Sequence, residues 1–146
     1  MTRILVFGTF DGIHEGHRRM LREAKALGDY LIVAVAPDAI VEKLKGTMPW
    51  HSMQTRIAIL KKEHIADDVV LADDRLHSWK IIKKYKPQII ALGYDQTDLK
   101  AALNEYLEKN YPEIETETGW QSNPKKPRIV ILSAYQPEKY KSSLLR

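Results

Sequence analysis

The residues best suited to chemistry stand together near the start of the chain, in the run Gly8-Thr9-Phe10-Asp11-Gly12-Ile13-His14-Glu15-Gly16-His17. His14 and His17 are three residues apart. On the first turn of a helix that spacing brings both imidazoles to one face, beside the backbone N–H groups that a helix start leaves unpaired. A phosphate at that position gains backbone donors, the favourable end of the helix dipole and up to two imidazole donors. Gly16 fits the same purpose: it costs the helix about 1 kcal/mol against alanine, yet lets a phosphate or base come close to the backbone. The plainer reading makes Gly8 a turn residue and the two histidines caps of a surface helix. A zinc site is a poor third reading, because no further ligand lies nearby in sequence.

Such a cluster needs a strand that ends at Gly8 and a helix that begins near His14, and the periodicity offers both. Ile4 to Phe7 is a continuous apolar run, as in a strand buried on both faces, and Met20, Leu21, Ala24 and Leu27 repeat at helical spacing from His14 to Leu27. Further strands are expected over Tyr30 to Ala36, Asp67 to Ala72, Gln88 to Leu92 and Arg128 to Leu132. Between them the pattern predicts helices over Asp38 to Leu44, from Ser52 through Leu60, over Leu76 to Tyr85 and over Thr97 to Lys109. Lys45 to His51 reads as a loop, and Lys43 to His51 as a flap that closes over phosphates. Residues 110 to 127 read as an extended loop, with a short edge strand as the alternative, and Ser142 and Ser143 sit where a last helix begins. The expected fold is a single α/β domain over residues 1 to 146, a Rossmann-like doubly wound parallel five-stranded sheet with helices on both faces. In that order the first and fourth strands are neighbours, so the loops after Phe7 and Leu92 face one crevice.

Composition narrows the function classes. Zero cysteines exclude disulfides, thiolate zinc sites and cysteine nucleophiles. A net charge of +4 suits an anionic small substrate and is too small a surplus to argue for nucleic acid. The longest apolar stretch, Tyr30 to Ala36, is far short of the roughly 20 residues of a spanning helix, and no secretory signal is visible, so no membrane role and a cytoplasmic location are expected.

The first run resembles the signature G-T-F-D-x-x-H-x-G-H of the nucleotidyltransferase superfamily that contains the cytidylyltransferases and the archaeal-type FAD synthases, and every fixed position matches. The similarity continues through Leu27-Gly28-Asp29, Lys43-Leu44-Lys45-Gly46, Arg56, Leu92-Gly93-Tyr94-Asp95-Gln96 and Lys141-Ser142-Ser143. The resemblance implies transfer of a nucleoside monophosphate from a nucleoside triphosphate to a phosphorylated small molecule, with release of pyrophosphate and no covalent enzyme intermediate. It implies that His14 and His17 contact the nucleotide phosphates, with His17 stabilising the α-phosphate transition state. It further implies that Lys45 neutralises phosphate charge and that Arg56 adds a second cationic contact. By the same resemblance Gly8, Thr9, Phe10, Asp11 and Gly16 line the nucleotide, Gly93 and Asp95 lie beside base and ribose, and Ser142 and Ser143 bind the outgoing phosphates. Mg²⁺ accompanies the triphosphate, touched at most indirectly by Asp11, and no protein metal site is expected. A homodimer is common in the superfamily.

Plainer readings stand beside these. Lys45 can be an ordinary solvated lysine, Arg56 the partner of a surface carboxylate, Asp95 a helix cap and Ser142 no more than an N-cap. His51 beside Trp50 reads as structural, His64 and His77 as surface residues, and Asp73-Asp74 as a solvated turn. Tyr135-Gln136-Pro137 and Lys141-Ser142-Ser143 depart from the cytidylyltransferase pattern, while Leu92-Gly93-Tyr94-Asp95-Gln96 and Lys141-Ser142-Ser143 resemble the FAD synthase pattern and favour an FMN adenylyltransferase over a CTP-dependent enzyme of the glycerol-3-phosphate type. A catalytically silent nucleotide-binding module is the rival from another class.

Overall fold

Alternation along the strands decides the architecture. In the computed structural model, which describes residues 1–75 and 77–133, β1 (Arg3–Gly8) is followed by α1 (Glu15–Lys25), β2 (Tyr30–Val35), α2 (Asp38–Lys45), α3 (Met53–Lys62) and β3 (Asp68–Leu71). Then come α4 (Lys80–Tyr85), β4 (Ile89–Leu92), α5 (Thr97–Asn110), β5 (Ile114–Thr116), β6 (Gly119–Gln121) and β7 (Arg128–Ile131). Ile4 and Val6 face one side of the sheet with Leu31, Val33, Val35, Ile89 and Ala91, under Leu21 and Ala24 of α1 and Leu60 of α3. Leu5 faces the other with Ile32, Ala34, Ile90 and Leu92, under Ile81 and Ile82 of α4 and Leu103 and Leu107 of α5. A parallel sheet covered on both faces requires such apolar runs.

The five main strands lie in the order β3-β2-β1-β4-β7, every neighbouring pair parallel. This is the expected doubly wound sheet, and the order reverses between β1 and β4, where Leu5 faces Ile90 across the ladder. The crevice outside the carboxyl ends of these two strands is where such sheets bind ligands. Among the described residues no helix is long and apolar enough to cross a membrane.

Three expectations are corrected. Residues 110 to 127 are not merely a loop: β5 and β6 form an antiparallel hairpin, a two-stranded sheet apart from the main one rather than an edge strand of it. Its turn is Glu117 and Thr118, and Gly119 directly after it holds φ at +115°, a value that a side chain resists. The helix expected from Leu76 begins only at Lys80, because His77 and Trp79 adopt left-handed backbone (φ 60° and 57°), which cannot lie inside a right-handed helix. Asp38 is not the N-cap of α2: that place is Pro37, and the Asp38 carboxylate is spent on Arg56. Ser142 and Ser143 lie outside the described residues, as does the last helix expected there.

Candidate active site

The loop between β1 and α1 is built around its glycines and Phe10. A Cβ on Gly8 would stand 2.5 Å from the Phe10 ring, so the ring can fold back over the strand end only because position 8 has no side chain. Phe10 is itself left-handed (φ 54°), 4% exposed, and sets its ring against the imidazole of His17 at 5.6 Å between centroids. Gly8 and Phe10 thus position a histidine, a role the sequence reading did not give them.

His14 and His17 do share one face, and they also bond to the helix start. The Gly16 N–H donates to His14 Nδ1 (3.0 Å) and the His14 N–H to His17 Nδ1 (3.3 Å), a reciprocal capping box made of two imidazoles whose centroids lie 3.8 Å apart. These two amides are therefore occupied, which corrects the expectation that they serve a phosphate directly. An Nδ1 that accepts a hydrogen bond carries no proton, so each neutral ring holds its proton on Nε2. Burial lowers the His17 pKa to about 4, helped by the charges of His14, Lys45 and Arg18, and burial with Arg18 lowers that of His14. At neutral pH both rings are neutral Nε2–H donors, able to bind a phosphate oxygen without carrying charge into the site.

Lys45 is the last residue of α2 rather than part of a loop, and Gly46, left-handed at φ 79°, ends the helix behind it. Its effect on His17 places its charge within electrostatic reach of the imidazole pair. The following loop is pinned at its far end. Asp11, 5% exposed, accepts the Trp50 N–H (2.7 Å) on Oδ2 and both the His51 N–H and His51 Nδ1–H (2.9 Å each) on Oδ1. Asp11 therefore fastens this loop to the phosphate loop, a positioning role the sequence did not announce, and His51 is its partner there.

Arg56 is corrected most. It is 0% exposed, and its guanidinium donates to the Thr9 carbonyl (2.8 Å), the His51 carbonyl (3.1 Å) and Asp38 Oδ1 (2.7 Å). Rather than meeting a phosphate, it clamps the β1–α1 loop, the 46–52 loop and α2 together. A guanidinium suits this because its rigid fork can serve three acceptors at once.

Across the switch point, Gln96 holds the ends of β4 and β1 together: its Oε1 accepts the Gly93 N–H (2.8 Å) and its Nε2 donates to the Phe7 carbonyl (3.2 Å). Gln96 is a site residue that sequence reasoning missed, although it closes the Leu92-Gly93-Tyr94-Asp95-Gln96 block. A Cβ on Gly93 would come 3.2 Å from Asp95 Oδ1, so position 93 leaves that carboxylate its place. Asp95 is exposed and does not cap α5, whose N-cap is Gln96. Beside this crevice a pocket of about 170 Å³ opens at the ends of β1, β2 and β3, lined among others by Phe7, Ala34, Ile40, Leu44, Asp73 and Trp79. Gly8 and Thr9 also line it, so pocket and phosphate loop share a wall. Asp73 is not a solvated turn: its Oδ2 accepts the Ser78 hydroxyl (2.8 Å) and the Lys80 N–H.

Residues 5–146 match the family model described as Cytidylyltransferase-like. The chain is 44% identical over 107 residues to the FAD synthase of Thermococcus sibiricus, covering 73% of this chain and 72% of that one. Over 105 residues it is 46% identical to the FAD synthase of Pyrococcus horikoshii, covering 69% and 71%. The crystal structure of the lipopolysaccharide core biosynthesis protein of Thermoplasma volcanium superposes with a TM-score of 0.70 over 92% of this chain and 98% of that one, at 29% identity. The pantoate-beta-alanine ligase of Francisella tularensis, 13% identical with a TM-score of 0.52, shares the fold alone.

Proposed function

Since the chain belongs to the cytidylyltransferase-like family of nucleotidyltransferases, we propose that it is an FMN adenylyltransferase, moving AMP from ATP to the phosphate of FMN to give FAD and pyrophosphate. The similarity to FAD synthases supports this acceptor and this nucleotide, and the observation that carries the chemistry is the pair of neutral, Nε2-protonated imidazoles at the head of α1. A phosphate oxygen of FMN attacks the α-phosphorus in line as the bond to the β-phosphate oxygen breaks and pyrophosphate leaves. Little covalent work falls to the protein, which must align two anions and meet the charge spreading over the α-phosphate oxygens.

In this reading His17 Nε2–H donates to an α-phosphate oxygen and His14 to a neighbouring phosphate, and Lys45 balances charge on the departing pyrophosphate. Thr9 and Gly16 border the nucleotide, Gly93 and Asp95 take base and ribose, and Ser142 and Ser143 take the outgoing phosphates. Gly8, Phe10, Asp11 and Arg56 act one step back, holding the histidines and the lysine-bearing helix in register. Among the described residues no three His, Asp or Glu side chains gather as a metal cluster, and both Asp11 oxygens are engaged. That donor set fits Mg²⁺ arriving on the triphosphate, with phosphate oxygens and water as its ligands. When bound, Mg²⁺ offsets negative charge on the leaving pyrophosphate.

Pyrophosphate release over ATP, CTP, GTP and UTP against FMN, glycerol phosphate, phosphocholine and sugar phosphates tests the reading. ATP with FMN should be the productive pair. Turnover by CTP with glycerol phosphate instead would replace the proposed substrates, and no turnover with any pair would leave a silent nucleotide-binding module.

A further inference from the structure

The pocket beside the phosphate loop is walled in a way the transfer chemistry alone does not require. Trp79 is 5% exposed and is backed by Phe7, edge-on at 5.7 Å and 79°, and by Tyr106 at 6.1 Å. On it lies the exposed ring of His77, parallel within 6° at 5.5 Å between centroids, and both rings line the pocket. Both residues hold left-handed backbone. For side chains of this size that conformation is costly and persists only where the surroundings over-determine it. Here Asp73 does so, accepting from the Ser78 hydroxyl and the Lys80 N–H on either side of Trp79. An ordinary extension of α4 through positions 77 to 79 would relieve the strain and carry both rings out of this arrangement.

We infer that Trp79 and His77 form a flat aromatic face, set by Asp73, that selects acceptors bearing a planar ring system and is the specificity determinant of this site. This rests on the acceptor reading above and adds to it the residues that discriminate. The pocket, at about 170 Å³, is smaller than the roughly 300 Å³ or more of sites that hold whole ligands, so it takes a ring rather than a complete nucleotide. Gly8 and Thr9 belong both to its wall and to the phosphate loop, so a ring bound here lies against the loop that leads to the imidazole pair. Parallel and offset ring pairs are the arrangement aromatic systems prefer. His77, being exposed, is the partner that shifts to admit the incoming ring, while Trp79 stays fixed in the core.

The test uses the full chain with lumichrome, the flavin ring without its ribityl phosphate, and FMN as probes, followed by flavin fluorescence. Both should be quenched on binding to the wild type. His77→Ala should weaken lumichrome binding and raise the FMN KM by about threefold to tenfold, the worth of one aromatic pair, with the ATP KM unmoved. Trp79→Phe should weaken both probes, and Asp73→Asn, which loosens the turn, should do the same without touching ATP. Equal lumichrome affinity in the wild type, His77→Ala and Trp79→Phe would overturn the proposal, as would a His77→Ala effect on ATP rather than flavin. Because lumichrome cannot be adenylylated, its binding reads the aromatic face whether or not ATP and FMN prove to be the substrates.

Discussion

His17 uses its two ring nitrogens for different ends, one to accept the His14 amide and one to present a proton. His17→Asn should keep an acceptor near the Nδ1 position while deleting the Nε2 donor. Its kcat should fall about 10²- to 10³-fold, as when an oxyanion donor is lost, with Tm close to that of the wild type. His17→Ala loses the cap as well and should also be about 1 kcal/mol less stable by urea denaturation. A drop in rate for His17→Ala that His17→Asn does not share would reduce the residue to a cap. Protonation gives a second handle. Folded His17 takes its proton only near pH 4, whereas an unfolded histidine takes it near 6.5. Between these values the unfolded chain binds more protons, so this contribution to stability is complete above pH 6.5 and is lost as pH falls toward 4. Urea midpoints from pH 7 to 4.5 should therefore decline more steeply in the wild type than in His17→Asn, and parallel curves would contradict the buried neutral ring.

Arg56 and Asp11 join elements rather than touch ligand, and their variants should fail accordingly. Arg56→Met leaves Asp38 and two carbonyls without their partner, at a cost of about 3 kcal/mol by denaturant titration, reduced from the fully buried case because Asp38 is partly exposed. The amides of Trp50 and His51, bonded to Asp11, should exchange slowly in the free protein, and Asp11→Ala should speed them. Rapid exchange there in the wild type would favour the wholly mobile flap over Lys43 to His51 that the sequence suggested, instead of a loop free only ahead of Trp50. The five main strands were legible because a covered parallel sheet demands unbroken apolar runs, and β1, β2 and β4 carry them plainly. The histidine pair was legible because its spacing is local. Arg56 was not, since its acceptors Thr9 and Asp38 stand 47 and 18 residues away and an arginine on a helix reads as solvated. The aromatic wall stayed hidden because no periodicity announces left-handed backbone at His77 and Trp79, and the helical spacing there pointed the other way. For the hairpin, the alternation from Glu113 to Thr118 was visible, but whether it paired depended on the turn at Glu117 and Thr118 and the left-handed Gly119 after it.

At the scale of the whole molecule, the sheet order brings the β1 and β4 loops to one crevice, and a ring-sized pocket shares Gly8, Thr9 and Gln96 with it. A ligand that binds only this assembled state must stabilise it. ATP with Mg²⁺ at about 100 times its Kd should add about 2.7 kcal/mol and raise Tm, and FMN should raise it further. An unchanged melting curve at millimolar ATP would mean that the crevice does not hold the nucleotide. The most direct measurement of all is the appearance of FAD and pyrophosphate in equal amounts from ATP, Mg²⁺ and FMN, followed side by side for the wild type and His17→Asn. Stoichiometric formation by the wild type and a rate about 10²- to 10³-fold lower for the folded variant are predicted. Wild type that makes no FAD, or a variant that makes it at the wild-type rate, would contradict the assignment of this site.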